Sequence, residues 1–265
     1  MDDADVENEE FSPFQIVALF KDTTPFEMAE EIQSALRSFD SSFEESTCTI
    51  ASLDGAEDEK VLEINTQNDA FYLHCVDEPV PSDVLYDYFD TAYLADADKR
   101  DIAQHKSQVV IHHIGQDWDP FAQYLTTFAI GFVLSKFGAT SILNTANGHF
   151  VYFPNFSKHF EEYIQETLFD TLIAIPTYVL FFRFFQNTDS NDKDYQVAWG
   201  ADLLGFPVLA LEMDEEKDLD LLDYMDALDA IYRRIIVKEM SQKPCLRSSE
   251  CVFHLAFSGQ SILPV

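Results

Sequence analysis

The sequence is poor in glycine and cysteine, and each shortage argues against a class of functional site. Its 265 residues include only 8 glycines, and we find no glycine-rich phosphate loop, no G-x-S-x-G turn and no H-E-x-x-H motif. The spacing of Cys48, Cys75, Cys245 and Cys251 contains no C-x-x-C pair of a zinc or redox site. We therefore predict reduced thiols, no metal and no cofactor. The spacing does not decide whether Cys245 and Cys251 pair.

Cationic residues are also few, and this shortage indicates the kind of partner. The chain has 48 Asp and Glu against 16 Lys and Arg, a formal net charge of −32. Such a chain repels nucleic acids and anionic membranes and attracts basic proteins. Solubility and complementarity to a cationic protein explain the excess about equally well. The expected partner is a basic protein, with no nucleic acid and no membrane.

The sequence begins with MDDADVENEE, which lacks the basic and apolar regions of a signal peptide. We predict that residues 1–12 form a disordered acidic tail. The most apolar segments, 128–134 and 172–185, are too short or too interrupted to span a bilayer. These features predict a cytoplasmic protein.

Hydrophobic periodicity predicts an α+β protein of two fused ferredoxin-like halves, 13–115 and 116–265, packed as one globular unit. The expected sheet is mixed or antiparallel, with helices on one side. In the first half, strands at 14–20, 60–66, 70–76 and 108–114 alternate with two helices. Thr24-Pro25-Phe26-Glu27 predicts the start of the first helix as a capping box, and Ser82 begins the second. Residues 41–59 are predicted to be polar turns.

The second half begins with the clearest helix, capped by Asp119 with Pro120 at its first position and ended by Gly138. Short strands are predicted at 141–144 and 149–153, then a helix from Asn155 and a buried apolar strand at 177–185. A polar hairpin loop at 187–194 leads to a strand ending at Trp199. A long amphipathic helix at 219–239 and a strand at 251–257 follow, and the polar side of the helix is predicted to carry Asp220, Asp223, Asp226 and Asp229. Trp199 and the nearby phenylalanines are predicted to be core residues.

The paired histidines His112 and His113 are the most obvious candidates for chemistry. Neighbours in a strand point to opposite faces, so they cannot jointly bind one metal ion without distortion. We expect one to be core-facing and hydrogen-bonded and the other to be partly exposed. Pairs of carboxylates are too common in so acidic a chain to indicate acid–base catalysis. The sequence therefore predicts that the protein is not an enzyme.

The acidic segment 212–229 is the main candidate for a binding surface, since it contains nine acids and one lysine. Acids at a helix start, with Arg233, Arg234 and Lys238 near its end, complement the helix dipole, which explains Asp218 and Asp220. It explains Asp223 and Asp226 less well, because acids three residues apart repel each other. The predicted contact residues here are Asp214, Glu215, Glu216, Asp218, Asp220, Asp223 and Asp226. A second set lies in the hairpin loop: Asp189, Asp192 and Asp194.

Three motifs resemble those of the bacterial family catalogued as domain of unknown function 4261. They are Pro79-Val80-Pro81, the strand start from His105 to Val110, and the stretch from Trp199 to Glu212, in which Gly205-Phe206 inverts the Phe-Gly of the family. The resemblance covers about 14–213. It implies a link with type VI secretion and polymorphic-toxin genes, since members of the family are often found near them.

Taken with the charge, this resemblance implies an immunity protein that neutralises a cognate toxin, in particular a cationic nuclease-type effector. Two alternatives come from other classes. One is a DNA-mimicking inhibitor of a nucleic-acid enzyme, and the other is a small-molecule-binding or enzymatic domain.

Overall fold

The computed structural model describes residues 15–53, 56–67, 69–90, 92, 94–114, 119–155, 177–189, 193–213 and 220–242, with backbone only at 53, 56–60 and 239–242. The predicted acidic tail, the body of the helix from Asn155, the strand at 251–257 and Cys245 with Cys251 lie outside the described residues.

Ten strands among the described residues form two sheets, and every pairing between them is antiparallel. The α+β class is therefore confirmed. The larger sheet has seven strands in the order β2-β3-β4-β5-β1-β6-β7. Its strands are β1 (Gln15–Phe20), β2 (Thr47–Leu53), β3 (Ala56–Asn65), β4 (Ala70–Val76), β5 (Ser107–His113), β6 (Ala139–Asn144) and β7 (His149–Tyr152).

The strand order shows how the two predicted halves are joined. The strand β1 lies between β5 from the first half and β6 from the second, so both halves share one sheet. In the split β-α-β arrangement of a ferredoxin-like unit, the third strand lies between the first and the second, which would place β4 beside β1. Here β5 lies between β4 and β1 and pairs with each of them in antiparallel fashion. The predicted elements of the first half occur in the predicted order, with the strand β2 and a helix at Asp96–Ile102 in addition, but the pairing in space is different.

Helices cover both faces of the seven-stranded sheet, so the expectation of helices on one side was wrong. On one face, α1 (Ala29–Phe39) and α4 (Pro120–Leu134) join the main core. On the other face, α2 (Ser82–Phe89) and α3 (Asp96–Ile102) contribute to a separate cluster with Val17 and Leu19 of β1. The reason is visible in β1, whose apolar residues point alternately to both faces, so both faces need cover.

The helix α4 lies at the centre of the core, as predicted. The Asp119 carboxylate caps it by accepting hydrogen bonds from the backbone N–H groups of Phe121 and Ala122, at 3.1 and 3.4 Å. All of its residues except Pro120 and Thr126 are buried. Gly138, with φ of 102°, follows the short 3-10 turn that ends the helix.

Two details of the first half differ from the prediction. The helix α1 begins at Ala29, beyond the expected capping box, and the Thr24 hydroxyl donates a 3.3 Å hydrogen bond to Asp77 Oδ1. The segment 41–59 contains β2 and the start of β3 in addition to turns. The strand β2 lies at the edge of the sheet, where Ile50 is 51% exposed. An edge strand that is partly exposed has a weak hydrophobic pattern in the sequence, so β2 was not predicted.

A three-stranded sheet in the order β10-β9-β8 contributes buried residues to the main core. It consists of β8 (Arg183–Thr188), β9 (Asp194–Trp199) and β10 (Ala210–Glu212), preceded by the helical turn α5 (Thr177–Leu180) and followed by the long helix α6 (Leu221–Gln242). The helix α6 confirms the amphipathic prediction. The first part of the expected strand at 177–185 is helical instead. Within the described part of the chain, no helix is both long and apolar enough to cross a membrane.

Candidate protein-binding surfaces

The first two predicted contact acids of α6 are also the residues that start the helix. The backbone N–H of Asp223 donates to Asp220 Oδ1 at 3.0 Å, and the N–H of Asp220 donates to Asp223 Oδ2 at 2.8 Å. This reciprocal pair is a capping box made of two aspartates. Both residues are exposed. Helix capping therefore explains Asp223, which the dipole alone explained less well.

The acids farther along α6 do not share one face. Asp226 is exposed, whereas Asp229 is buried and accepts hydrogen bonds from Thr177 N–H at 2.5 Å and Arg233 Nε at 2.6 Å. Because successive helix residues rotate by about 100°, the nine steps from Asp220 to Asp229 make about two and a half turns, which places the two side chains on opposite sides of the helix. The prediction that Asp229 lies on the exposed acidic side was wrong, since it anchors α5 to α6.

The hairpin acids stabilise the tip of the β8–β9 hairpin. The backbone N–H of Lys193 donates to Asp189 Oδ1 at 3.0 Å. Asp194 accepts hydrogen bonds from Thr188 Oγ1 at 2.5 Å and from Gln186 Nε2 at 3.0 Å. These two acids therefore have a local structural role, and their oxygens are directed partly toward the hairpin itself.

The structure also brings Glu212 to this hairpin tip. The Lys193 ammonium forms a 2.5 Å ion pair with Glu212 Oε1, and the backbone N–H of Met213 donates to Asp194 O at 2.7 Å. The tip therefore joins three carboxylates, those of Asp189, Asp194 and Glu212. The remaining predicted contacts, which are Asp192, Asp214, Glu215, Glu216 and Asp218, lie outside the described residues.

An open aromatic face on the three-stranded sheet was not predicted. Trp199 is 51% exposed, so its assignment to the core was wrong. Its ring lies 5.9 Å from that of Phe185, edge to face. By contrast, the prediction of buried phenylalanines is confirmed for Phe181, Phe182 and Phe184.

Strand register explains which residues form this face. Phe185 pairs with Val197, and Arg183 pairs with Trp199, so these four side chains are on one side of the sheet. Phe184 and Ala198 form the next pair and point inward, where both are fully buried. The sequence carries this signal, because Tyr195, Val197 and Trp199 alternate with inward-facing Gln196 and Ala198.

A buried polar cluster fastens the segment before β8 to the larger sheet. His149 Nε2 donates to Val179 O at 2.6 Å, Asn147 Nδ2 donates to Phe181 O at 3.2 Å, and the Tyr124 hydroxyl donates to Leu180 O. Burial lowers the pKa of His149 to about 4, and the charge of Arg183 adds to this effect, while the bond to Val179 opposes it. The imidazole is therefore neutral at pH 7.

The histidine pair of β5 is arranged as predicted. His113 is buried and its Nε2 lies 2.7 Å from Asp69 Oδ1, whereas His112 is partly exposed. Burial, with the nearby His74, lowers the pKa of His112. Among the described residues, no group of three or more His, Cys, Asp and Glu side chains could hold a metal ion.

Two of the motifs behind the family resemblance meet in space. The backbone N–H of Val80 donates a buried 2.8 Å hydrogen bond to His105 Nε2, and His105 Nδ1 bonds to Ile102 O at 2.9 Å. Burial lowers the pKa of His105. The contact joins the start of α2 to the segment between α3 and β5, so it has a structural role.

Comparison of the chain with protein-family models, curated proteins and solved structures gave no match. The resemblance drawn from the motifs therefore remains a prediction.

Proposed function

We propose that this chain is a cytoplasmic immunity protein without enzymatic activity. It would bind a cognate cationic antibacterial toxin, of nuclease type, and occlude its active site. The observation that carries this proposal is the charge excess. If each of the 16 Lys and Arg residues neutralised one carboxylate, 32 of the 48 acids would still be uncompensated. Self-repulsion of this size opposes folding, and a cationic partner would relieve it.

The described cations are largely used inside the chain, which supports the same conclusion. Lys21 bonds to Asp101 at 2.6 Å, Lys193 to Glu212 and Arg233 to Asp229. The Arg37 guanidinium donates to a backbone carbonyl, as does the Lys99 ammonium. Exposed carboxylates therefore set the sign of the surface potential. A nuclease carries a positive surface for phosphates, and an acidic protein would reach that surface quickly through electrostatic steering.

The proposal is tested with the product of the gene adjacent to the one that encodes this chain. Co-purification of the two proteins and rescue of growth, when the neighbour is expressed with and without this chain, are the expected results. If the neighbour neither binds nor arrests growth in a way that this chain relieves, the proposal is wrong.

The contribution of the α6 acids is tested by the double variant Asp223→Asn and Asp226→Asn. Asparagine keeps an oxygen that can cap the helix, so the change removes charge and preserves structure. We expect association with the neighbouring gene's product to slow about two- to fivefold at low salt and less at high salt. The matched control is Asp83→Asn with Asp87→Asn, which removes two exposed charges from α2. Equal association rates for the two double variants would show that the α6 acids are not part of the interface.

A further inference from the structure

The outer face of the three-stranded sheet is partly exposed, whereas its inner face is buried. On the inner side, Phe184 and Gln196 are fully buried, and the Phe184 ring lies 6.5 Å from that of Tyr232 on α6. On the outer side Trp199 is 51% exposed, and Phe185, Tyr195 and Val197 are only partly buried. Antiparallel sheets tolerate one solvated face when polar residues cover it. Here the residues at its centre are aromatic and aliphatic.

A second exposed apolar side chain lies beside this face. Val208 is 49% exposed and precedes Leu209, whose carbonyl accepts a 3.1 Å hydrogen bond from the backbone N–H of Ala198. This bond holds Val208 next to the end of β9, where Trp199 is located. Phe185, Tyr195, Val197, Trp199 and Val208 together are called the Trp199 face below.

Net charge decides which occupant fits this face. Two copies of the chain would each bring a charge of −32, so self-association would press like charges together. The Trp199 face itself carries little charge, since Glu212 on this side of the sheet is paired with the Lys193 ammonium and Arg183 is only partly exposed. It therefore provides an apolar centre inside a strongly negative surface. Interfaces with an apolar aromatic centre and a charged rim have this composition.

We infer that the Trp199 face is the docking surface for a cationic protein segment that carries an apolar or aromatic anchor. This inference rests on the proposed function and names the surface and partner chemistry that the function would use. Trp and Tyr are the residues that most often dominate binding energy at interfaces. An exposed indole also attracts Arg and Lys side chains through its ring face. The surrounding carboxylates would steer the partner, and the aromatic centre would hold it.

The experiment uses the full-length chain and a random dodecapeptide library displayed on phage, selected at low salt. Enriched peptides are synthesised and titrated against the wild type, Trp199→Ala and the matched control Tyr86→Ala by fluorescence anisotropy. Tyr86 is 57% exposed and lies on α2, which covers the opposite face of the larger sheet. We expect enriched peptides to be cationic with at least one aromatic or aliphatic residue. Trp199→Ala should weaken their binding at least about tenfold, and Tyr86→Ala should change it less than about twofold.

Several results would overturn the inference. They are neutral or acidic enriched peptides, equal binding to the wild type and Trp199→Ala, or no enrichment at all. A concentration-dependent dimer in sedimentation that Trp199→Ala abolishes would assign the face to a second copy and overturn it too. Trp199→Lys, at the same exposed position, repeats the test if the alanine variant does not match the wild-type circular dichroism spectrum. Growth rescue does not depend on these measurements, so failure of the surface and failure of the proposed function are distinguishable.

Discussion

Replacement of His149 by glutamine should remove most of the pH dependence of the unfolding free energy that arises from protonation of this imidazole. In the folded chain the imidazole donates to Val179 O and its pKa lies at about 4, against an ordinary value of 6.5. The unfolded chain therefore binds a proton between pH 6.5 and pH 4 that the folded chain rejects. Stability linked to His149 is complete above pH 6.5 and is lost as the pH falls toward 4.

The size of the effect follows from the shift. Each pKa unit corresponds to about 1.4 kcal/mol, so the loss is about 2 kcal/mol at pH 5 and approaches about 3 kcal/mol below pH 4. Glutamine keeps an N–H donor for the carbonyl of Val179 but does not titrate. The His149→Gln variant should lose about 1–2 kcal/mol at pH 7.5, because the amide fits the site less well. At pH 5 this deficit should vanish or reverse.

The measurement is urea unfolding at pH 7.5 and pH 5, followed by far-ultraviolet circular dichroism. The quantity that matters is the difference between wild type and variant, because the many carboxylates and the other histidines titrate in both proteins and cancel. A difference in unfolding free energy that is the same at both pH values would show that His149 does not carry this linkage. The account of a buried neutral imidazole would then be wrong.

Two further substitutions test the packing around the second sheet. Asp229→Ala should destabilise the fold by about 3 kcal/mol, because it removes the acceptor of the buried Thr177 N–H and the carboxylate bound to Arg233 Nε, whereas Asp226→Ala on the exposed side of α6 should cost less than about 0.5 kcal/mol. Equal urea midpoints for Asp229→Ala and Asp226→Ala would show that Asp229 does not anchor α5 to α6. Gly200→Ala should cost more than Gly148→Ala by about 1–2 kcal/mol in thermal unfolding, because both glycines have positive φ but an added Cβ at Gly200 would lie 2.9 Å from the Asn147 side chain. A smaller loss of stability at Gly200 would show that the Asn147 side chain can move away from the added Cβ at little cost.

Local signals predicted the elements that local chemistry determines. Asp119, Pro120 and Gly138 mark the ends of the central helical segment in the sequence, and the structure uses all three as cap, first position and left-handed stop. The opposite orientations of His112 and His113 follow from strand geometry alone. The half-circle between Asp220 and Asp229 was also present in the helical period. Counting acids along the segment, instead of their angular positions, led to the wrong placement of Asp229.

Other features depend on contacts between residues distant in sequence. Pairing of β1 with both β5 and β6 joins segments that are about 90 and 120 residues apart, and no local pattern shows which strands will meet. At the expected capping box, the Thr24 backbone N–H and hydroxyl bond to Asp77, which is 53 residues away. Trp199 was assigned to the core on its residue type, although alternation with the buried Ala198 places it on the outer face.

The buried polar cluster and the Trp199 face are linked by the same short segment. Three consecutive carbonyls, of residues 179–181, are held by His149, Tyr124 and Asn147, and β8 begins two residues later at Arg183. These bonds fix the start of β8 against the larger sheet. The outer aromatic face is therefore already in position before a partner binds. A surface held in place in this way loses little conformational entropy on binding, so more of the contact energy appears as affinity. His149→Gln should for this reason weaken peptide binding at the Trp199 face only under conditions where it also lowers stability. Weaker binding without lower stability would mean that His149 contributes to the face more directly.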